Sequence, residues 1–158
     1  MSERSVTHAT FVLERTYDAS PATVFSAWAD PAAKARWFAE ADGWTTGMYE
    51  VDFRVGGHET YRGGPKGGGQ THRMNGQYQD IIPNARIIYT YDMHLNDTRI
   101  SVSLATIELE PSGAGTRLIL TEQGAYLDGY DSPDQRKEGT GSLLDALAAE
   151  IQRQTARA

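Results

Sequence analysis

Six segments between residues 48 and 123 alternate apolar and polar side chains, and the connections between them are rich in glycine, proline or asparagine. Strands joined by such short connections pair antiparallel, because a parallel pair needs a crossover of about a dozen residues or more. Another alternating segment, Thr10–Tyr17, precedes them, so the sequence predicts an antiparallel sheet of about seven strands. The six segments are Met48–Phe53, His58–Arg62, Thr71–Ile82, Arg86–Met93, Arg99–Glu110 and Thr116–Gln123.

Two short helices are predicted between the first strand and the second. Ser20-Pro21 and Asp30-Pro31 each place a good N-cap residue before a proline, which suits the first helical turn because its missing N–H has no partner there. Val24, Phe25 and Trp28 then fall on one face of the first helix. Both helices are therefore expected to pack bulky apolar side chains against the sheet.

A long amphipathic helix is predicted at the C-terminal end, where Ser132–Gln135 has the pattern of a capping box. Leu143, Leu144, Leu147 and Ile151 follow as one apolar stripe. The helices can cover only one face of the sheet, so the sheet is expected to curve around the long helix. The predicted fold class is α+β, in one domain spanning residues 1–158 with an ordered core at about 8–154.

Composition excludes several classes of function. The net charge of −6 provides no general electrostatic footprint for nucleic acid. Without cysteine the chain has no disulfide, thiolate nucleophile or cysteine-bound metal. No apolar run approaches the roughly 20 residues that span a bilayer, and Met1–Thr10 lacks the features of a signal peptide, so a cytoplasmic protein is predicted.

A set of short motifs extends over nearly the whole chain. They are Ser20-Pro21, Val24-Phe25, Trp28, Asp30-Pro31, Trp37-Phe38, Asp52-Phe53-Arg54, Gly56-Gly57, Gly76-Gln77-Tyr78, Pro83, Arg86-Ile87, Gly115-Thr116 and Leu144 to Leu147. Together they resemble the START-like superfamily, also called SRPBCC, helix-grip or Bet v 1-like, and within it bacterial relatives of the C-terminal domain of the activator of the heat-shock-protein-90 ATPase. The resemblance implies a cavity between the curved sheet and the C-terminal helix, which the superfamily uses for lipids, sterols, polyketides and other apolar ligands.

The predicted cavity wall consists of aromatic, methionine and leucine side chains, since ligand pockets are mostly apolar with a few placed polar groups. The alternative for each residue is plain core packing. Tyrosines are the stronger candidates, because a buried hydroxyl needs a hydrogen-bond partner. The predicted ligand-binding residues are Trp28, Trp37, Phe38, Phe53, Tyr61, Met74, Tyr78, Tyr89, Tyr91, Met93, Leu143 and Leu147.

Histidines and carboxylates on the predicted strands raise a second hypothesis, a metal or acid–base site. His58, His72 and His94 lack the spacing of a metal motif, so no metal is predicted. No organic cofactor is predicted either. Acid–base chemistry needs only one suitably placed group, for which His58, His72, Tyr78 and a carboxylate are the candidates. The candidate carboxylates for a metal or acid–base site are Glu50, Asp52 and Glu59.

Glycines and tyrosines near the C-terminal helix suggest features of a cavity mouth. Gly139 and Gly141 interrupt a good helix, either to keep the cavity open or to let the helix pack closely on the sheet. Gly139-Thr140 also replaces the Gly-Trp of many relatives, which would enlarge the cavity. Tyr126 or Tyr130 is a candidate lid.

The sequence therefore favours a protein that binds a small hydrophobic or amphipathic molecule and is not an enzyme. One alternative is an enzyme of the polyketide-cyclase type that uses acid–base residues of the same cavity. Another, from the resemblance alone, is a protein-interaction module related to chaperone activators. A homodimer is an expectation carried over from relatives.

Overall fold

The computed structural model describes residues 4–40 and 43–156. Within them, seven strands form one antiparallel sheet in the order β1-β7-β6-β5-β4-β3-β2, with three helices, so the predicted α+β helix-grip fold is confirmed. The strands are β1 (Val6–Tyr17), β2 (Trp44–Val51), β3 (His58–Pro65), β4 (His72–Ile82), β5 (Arg86–Leu95), β6 (Thr98–Ser112) and β7 (Gly115–Leu127). The helices are α1 (Pro21–Ala29), α2 (Pro31–Lys34) and α3 (Pro133–Ala156).

The sheet curves around α3. Register shifts at Thr46/Met48, Tyr78/Asp80 and Met93/His94 interrupt three of the strand pairs, and bulges of this kind bend a strand and increase its twist. Leu144 and Leu147 of α3 are buried in the same apolar core as inward-facing residues of β5, β6 and β7. The core therefore lies between the concave face and the second half of α3.

Both predicted N-caps are present. The Ser20 hydroxyl accepts a hydrogen bond from the Thr23 N–H at 3.2 Å, and Asp30 accepts one from the Ala32 N–H at 3.1 Å. After α2 the chain widens into a π-helical turn, Ala35–Ala39, which the sequence pattern did not predict. The turn belongs to the same continuous helical segment as α2 and carries the two aromatic residues of the Trp37-Phe38 pair.

Several predicted strand boundaries were wrong. β2 begins at Trp44 instead of Met48, β3 ends at Pro65 instead of Arg62, and β7 ends at Leu127 instead of Gln123. β1 begins at Val6 instead of Thr10, because backbone pairing with β7 continues to Leu127 on a stretch whose side chains are largely exposed. β2 ends at Val51, so Phe53 lies outside it in the bend that leads to β3. Gly57 makes this bend possible, because a Cβ there would lie 2.0 Å from the Asp52 carbonyl oxygen.

A buried ion pair joins α2 to the sheet. The Lys34 Nζ lies 2.8 Å from the Glu59 carboxylate on β3, and both side chains are almost completely excluded from solvent. Tyr78 donates a hydrogen bond to Glu59 at 3.0 Å, and Tyr49 donates a second, very short one. The ammonium group also lies 4.7 Å from the centroid of the Phe38 ring. Each buried charge is thus matched by an opposite charge or by oriented hydroxyl and aromatic groups.

Removing only the cation of this pair is expected to be costly. Lys34→Met leaves the Glu59 carboxylate buried without its counter-ion, and the free energy of unfolding should fall by about 3–5 kcal/mol. Adding Glu59→Gln, which keeps an acceptor for the tyrosines, should recover part of that loss. Urea unfolding of the single and double variants measures both effects.

A control is available at the exposed pair of Arg54 and Asp52, whose Nε and Oδ2 atoms are 2.7 Å apart. Asp52→Asn should change the unfolding free energy by less than about 1 kcal/mol, because solvent screens exposed charges. A loss in Lys34→Met no larger than that in this control would show that the buried pair does not stabilise the fold.

Candidate functional site

A cavity of about 560 Å³ lies between the concave face of the sheet and the first half of α3. Its wall is mainly apolar, and polar side chains come from the first half of α3, from the segment before it, from His72 and from tyrosines of β3 and β5. Gln135, Gly139 and Tyr130 are exposed at its rim, so the cavity opens to solvent on this side. The lining residues are Trp37, Phe38, Trp44, Tyr61, His72, Met74, Tyr91, Met93, Leu95, Ile100, Tyr130, Asp131, Gln135, Arg136, Gly139, Thr140, Ser142, Leu143 and Ala146.

Seven of the twelve predicted ligand-binding residues line this cavity. They come from four separate regions: the π-helical turn, β3, the neighbouring strands β4 and β5, and α3. Their role in ligand binding remains a prediction. The seven are Trp37, Phe38, Tyr61, Met74, Tyr91, Met93 and Leu143.

The other five, Trp28, Phe53, Tyr78, Tyr89 and Leu147, are not among the lining residues and pack in or against the apolar core. Trp28 packs edge-on against Trp37 at 4.8 Å between ring centroids, behind the cavity wall. The Tyr78 hydroxyl is directed to Glu59. Tyr89 lies between Tyr78 and Tyr91, with centroids 6.1 and 5.9 Å away, so it supports the wall from behind.

Sequence reasoning missed most of the polar part of the wall. Arg136 and Gln135 lie in the first turns of α3, and Asp131 lies in the segment before it, next to Tyr130, which was predicted only as a candidate lid. Arg136, Gly139, Leu143 and Ala146 recur at helical spacing, so a periodicity signal was present. The predicted apolar stripe begins at Leu143 and therefore does not include Arg136.

Arg136 is the centre of a polar cluster at one end of the cavity. Its guanidinium donates to the Tyr91 hydroxyl at 2.9 Å and to the Ser101 hydroxyl at 2.8 Å. It also forms an ion pair with Asp131. The guanidinium carbon lies 5.6 Å from the ring centroid of Tyr126, a cation–π arrangement. The cluster ties α3 to β5, β6 and β7.

Glu122 on β7 lies behind Tyr91 and is only 2% exposed. Tyr91 donates a hydrogen bond to the Glu122 Oε2 at 2.9 Å, and the Arg136 guanidinium lies 3.9 Å from the same oxygen. Burial raises the pKa of Glu122 from 4.5 to about 7, against the opposing influence of Arg136 and the Tyr91 hydrogen bond. The carboxyl group can therefore exchange a proton near neutral pH, and it is hydrogen-bonded to Tyr91, a residue of the cavity wall.

The three candidate histidines do not converge. His72 lines the cavity, where its ring meets Trp44 edge-on at 4.7 Å and burial lowers its pKa, partly opposed by Asp131. His58 is exposed, and His94 lies beside Asp92 with 3.7 Å between Nδ1 and Oδ1. Among residues 4–40 and 43–156, no group of three His, Asp or Glu side chains is arranged to hold a metal ion.

The two helical glycines differ in their surroundings. A Cβ at Gly139 would meet nothing within 4 Å, so close packing on the sheet does not explain this glycine. A Cβ at Gly141 would lie 3.3 Å from the guanidinium of Arg15, a contact that a flexible side chain can relax. Gly139 therefore leaves space at the cavity rim.

The candidate lid residues also differ. Tyr126 is 2% exposed and packs beneath Arg136, so it does not cover the cavity mouth. Tyr130 is 49% exposed and does line the cavity.

Comparison with protein families decides the classification. Residues 18–152, which include the whole cavity wall, match the family described as Activator of Hsp90 ATPase homolog 1-like protein. The chain belongs to this family. No match was found among curated proteins. Within the part of this AHSA1-like chain that the structure describes, no helix is long and apolar enough to cross a membrane.

Solved structures of similar proteins share the whole fold. An uncharacterized protein from Rhizobium leguminosarum is 44% identical, with a TM-score of 0.91 over 96% of this chain and 99% of that one. A protein from Rhizobium loti is 51% identical, with a TM-score of 0.85 over 92% and 99% of the two chains. An AHSA1-like protein from Aeromonas hydrophila, 20% identical with a TM-score of 0.68 over 93% and 94%, shares the fold alone.

The raised pKa of Glu122 predicts a specific pH dependence of stability. The Glu122 carboxyl group keeps its proton up to about pH 7 in the folded protein but only up to about pH 4.5 in the unfolded chain. Its contribution to the free energy of unfolding is therefore complete below pH 4.5 and is lost as the pH rises through 7. Glu122→Gln is the reference, because glutamine has a similar shape and hydrogen-bonding capacity but does not titrate. Relative to this variant, the free energy of unfolding of the wild type should fall by on the order of 3 kcal/mol as the pH rises from below 4.5 to above 7.

Urea unfolding of both proteins at about pH 4.5 and pH 8 measures this difference. The subtraction removes the contribution of other groups, including His72. If the wild type and Glu122→Gln differ in unfolding free energy by the same amount at both pH values, Glu122 titrates as an ordinary exposed carboxyl group.

Proposed function

We propose that this AHSA1-like protein binds a small apolar or amphipathic molecule in the cavity between the sheet and α3. The observation that carries the proposal is the cavity itself. Its volume of about 560 Å³ falls within the roughly 300–1,000 Å³ of ligand pockets, and its wall combines a mostly apolar surface with a few polar groups at one end.

The aromatic content of the wall supports this function. Aromatic rings offer large rigid contact surfaces and favour edge-on or offset contacts with other rings, worth about 0.5–1.5 kcal/mol each beyond the area they bury. Met74 and Met93 add polarizable side chains that adapt to irregular shapes. The aromatic members of the wall are Trp37, Phe38, Trp44, Tyr61, Tyr91 and Tyr130.

Family membership points the same way. AHSA1-like and START-like folds commonly bind hydrophobic ligands, and the cavity of this chain occupies the place between sheet and C-terminal helix that such a fold provides. Fold alone does not specify an activity, so the proposal rests on the cavity wall of this chain.

An acid–base enzyme is the second candidate, and one observation favours it. The Glu122 carboxyl group has a pKa of about 7 and is hydrogen-bonded to Tyr91, whose side chain lines the cavity. In such an enzyme Glu122 would be the acid–base group, and a proton moving between it and a bound molecule would pass through Tyr91. The third hypothesis, a protein-interaction module, has no specific observation in its favour within the described residues.

Filling the cavity mouth should block binding. Gly139→Leu projects a side chain into open space at the rim, and it should lower affinity for the neutral fluorescent probe N-phenyl-1-naphthylamine at least about tenfold. The helix itself should not suffer, because leucine is a better helix former than glycine. Fluorescence titration measures affinity, and thermal unfolding checks the fold.

Glu138→Leu is the matched control, since residue 138 is exposed on the same helix and is not part of the cavity wall. It adds the same side chain, and its affinity for the probe should stay within about twofold of the wild type. No saturable binding to the wild type, or equal loss in both variants, would contradict the proposed function.

A further inference from the structure

The charges at the polar end of the cavity are already balanced within the protein. Among the lining residues that the structure describes, Arg136 and Asp131 are the members with permanent opposite charges, and they form an ion pair with each other. Both side chains are only 11% exposed. Arg136 also lies 3.9 Å from Glu122, which is a second acidic group on the same cation. The cluster therefore holds no excess positive charge for a ligand anion.

The helix terminus does not supply the missing positive charge. The first turn of α3 contains Asp134, and the Ser132 hydroxyl accepts a hydrogen bond from the Gln135 N–H at 3.2 Å. Asp131 accepts another from the Ser132 N–H at 2.8 Å. The Ser132 hydroxyl therefore occupies one N–H group of the first turn, and the negative charges of Asp131 and Asp134 oppose the positive potential of the helix terminus.

A ligand cation is disfavoured for a related reason. The Asp131 Oδ1 and Oδ2 atoms already accept from Ser132 and Arg136, respectively. Glu122 lies behind Tyr91 and is not part of the cavity wall. Arg136 is bonded to the Asp131 Oδ2 atom, so its guanidinium repels a second positive group that approaches this carboxylate.

The remaining polar wall is uncharged. Gln135, Thr140 and Ser142 present hydroxyl and amide groups that both donate and accept hydrogen bonds. The Tyr91 hydroxyl already donates to Glu122 and accepts from Arg136, so it offers a ligand one remaining acceptor position. His72 joins them as a neutral imidazole at neutral pH, because burial lowers its pKa. Such groups bind a hydroxyl or carbonyl without requiring a buried charge.

We infer that the ligand is a neutral aromatic or polycyclic molecule with a hydroxyl or carbonyl group at the Arg136–Tyr91 end, and that carboxylates such as fatty acids are rejected. This inference rests on the proposed function, because it specifies the ligand of the same cavity. A carboxylate would have to displace Asp131 from Arg136, leaving one of two acidic groups without its cation.

Matched naphthalene probes test the ligand class. At about pH 7.5, 2-naphthol is neutral and 2-naphthoate is ionised, while naphthalene and 2-naphthylmethylammonium complete the set. Isothermal titration of the wild type should show 2-naphthol binding at least about tenfold tighter than 2-naphthoate and 2-naphthylmethylammonium, and tighter than naphthalene.

A charge variant then tests the cause. Asp131→Asn removes one acidic partner of Arg136 while keeping an acceptor oxygen, so the preference for 2-naphthol over 2-naphthoate should shrink by about tenfold. Asp134→Asn is the control, because it removes the same charge from an exposed position outside the cavity wall. It should leave the preference within about twofold of the wild type.

The outcomes separate the two proposals. Binding of none of the four probes overturns the proposed function. Binding of 2-naphthoate or the ammonium probe as tightly as 2-naphthol overturns the ligand class while the binding cavity stands. If Asp131→Asn leaves the preference for 2-naphthol over 2-naphthoate unchanged, the charge balance at Arg136 is not the cause of that preference. The same conclusion follows if Asp134→Asn reduces the preference as much as Asp131→Asn does.

Discussion

The attachment of α3 to the sheet is the constraint on which the rest of the structure depends. Leu144, Leu147 and Ile151 bury the second half of the helix in the apolar core. Arg136 holds the first half through hydrogen bonds to β5 and β6 and an ion pair with Asp131. The cavity lies along the part of α3 between these two attachments. The interactions that fix α3 on the sheet therefore also maintain the space between them.

Two buried charge clusters perform different tasks. The cluster of Lys34 and Glu59 sits behind the cavity wall, joins α2 to β3, and is closed by two tyrosine hydroxyls. The cluster of Arg136 and Glu122 lies at the cavity itself, and Tyr91 connects Glu122 with the wall. The Lys34–Glu59 cluster positions aromatic residues, whereas the Arg136–Glu122 cluster determines the charge that a ligand meets.

Much of the fold was predictable because its signals are local. The caps at Ser20 and Asp30 needed only a side-chain oxygen next to a proline, and alternation along β5 and β6 identified both strands. The early start of β1 was not predictable in this way, since its first residues pair through the backbone and their side chains carry little pattern. The π-helical turn at Ala35–Ala39 likewise has no local signature here.

The sequence by itself determined the order of strands and helices and the apolar character of the concave face, because periods of 2 and 3.6 residues act over short distances. Tertiary structure alone decided which inward-facing residues meet the cavity. Tyr89 and Tyr91 are two residues apart on β5, yet only Tyr91 lines it, because curvature of the sheet and the path of α3 separate wall from core. It also decided the partners of Arg136, since Asp131 is near in sequence but Tyr91, Ser101 and Glu122 come from three different strands.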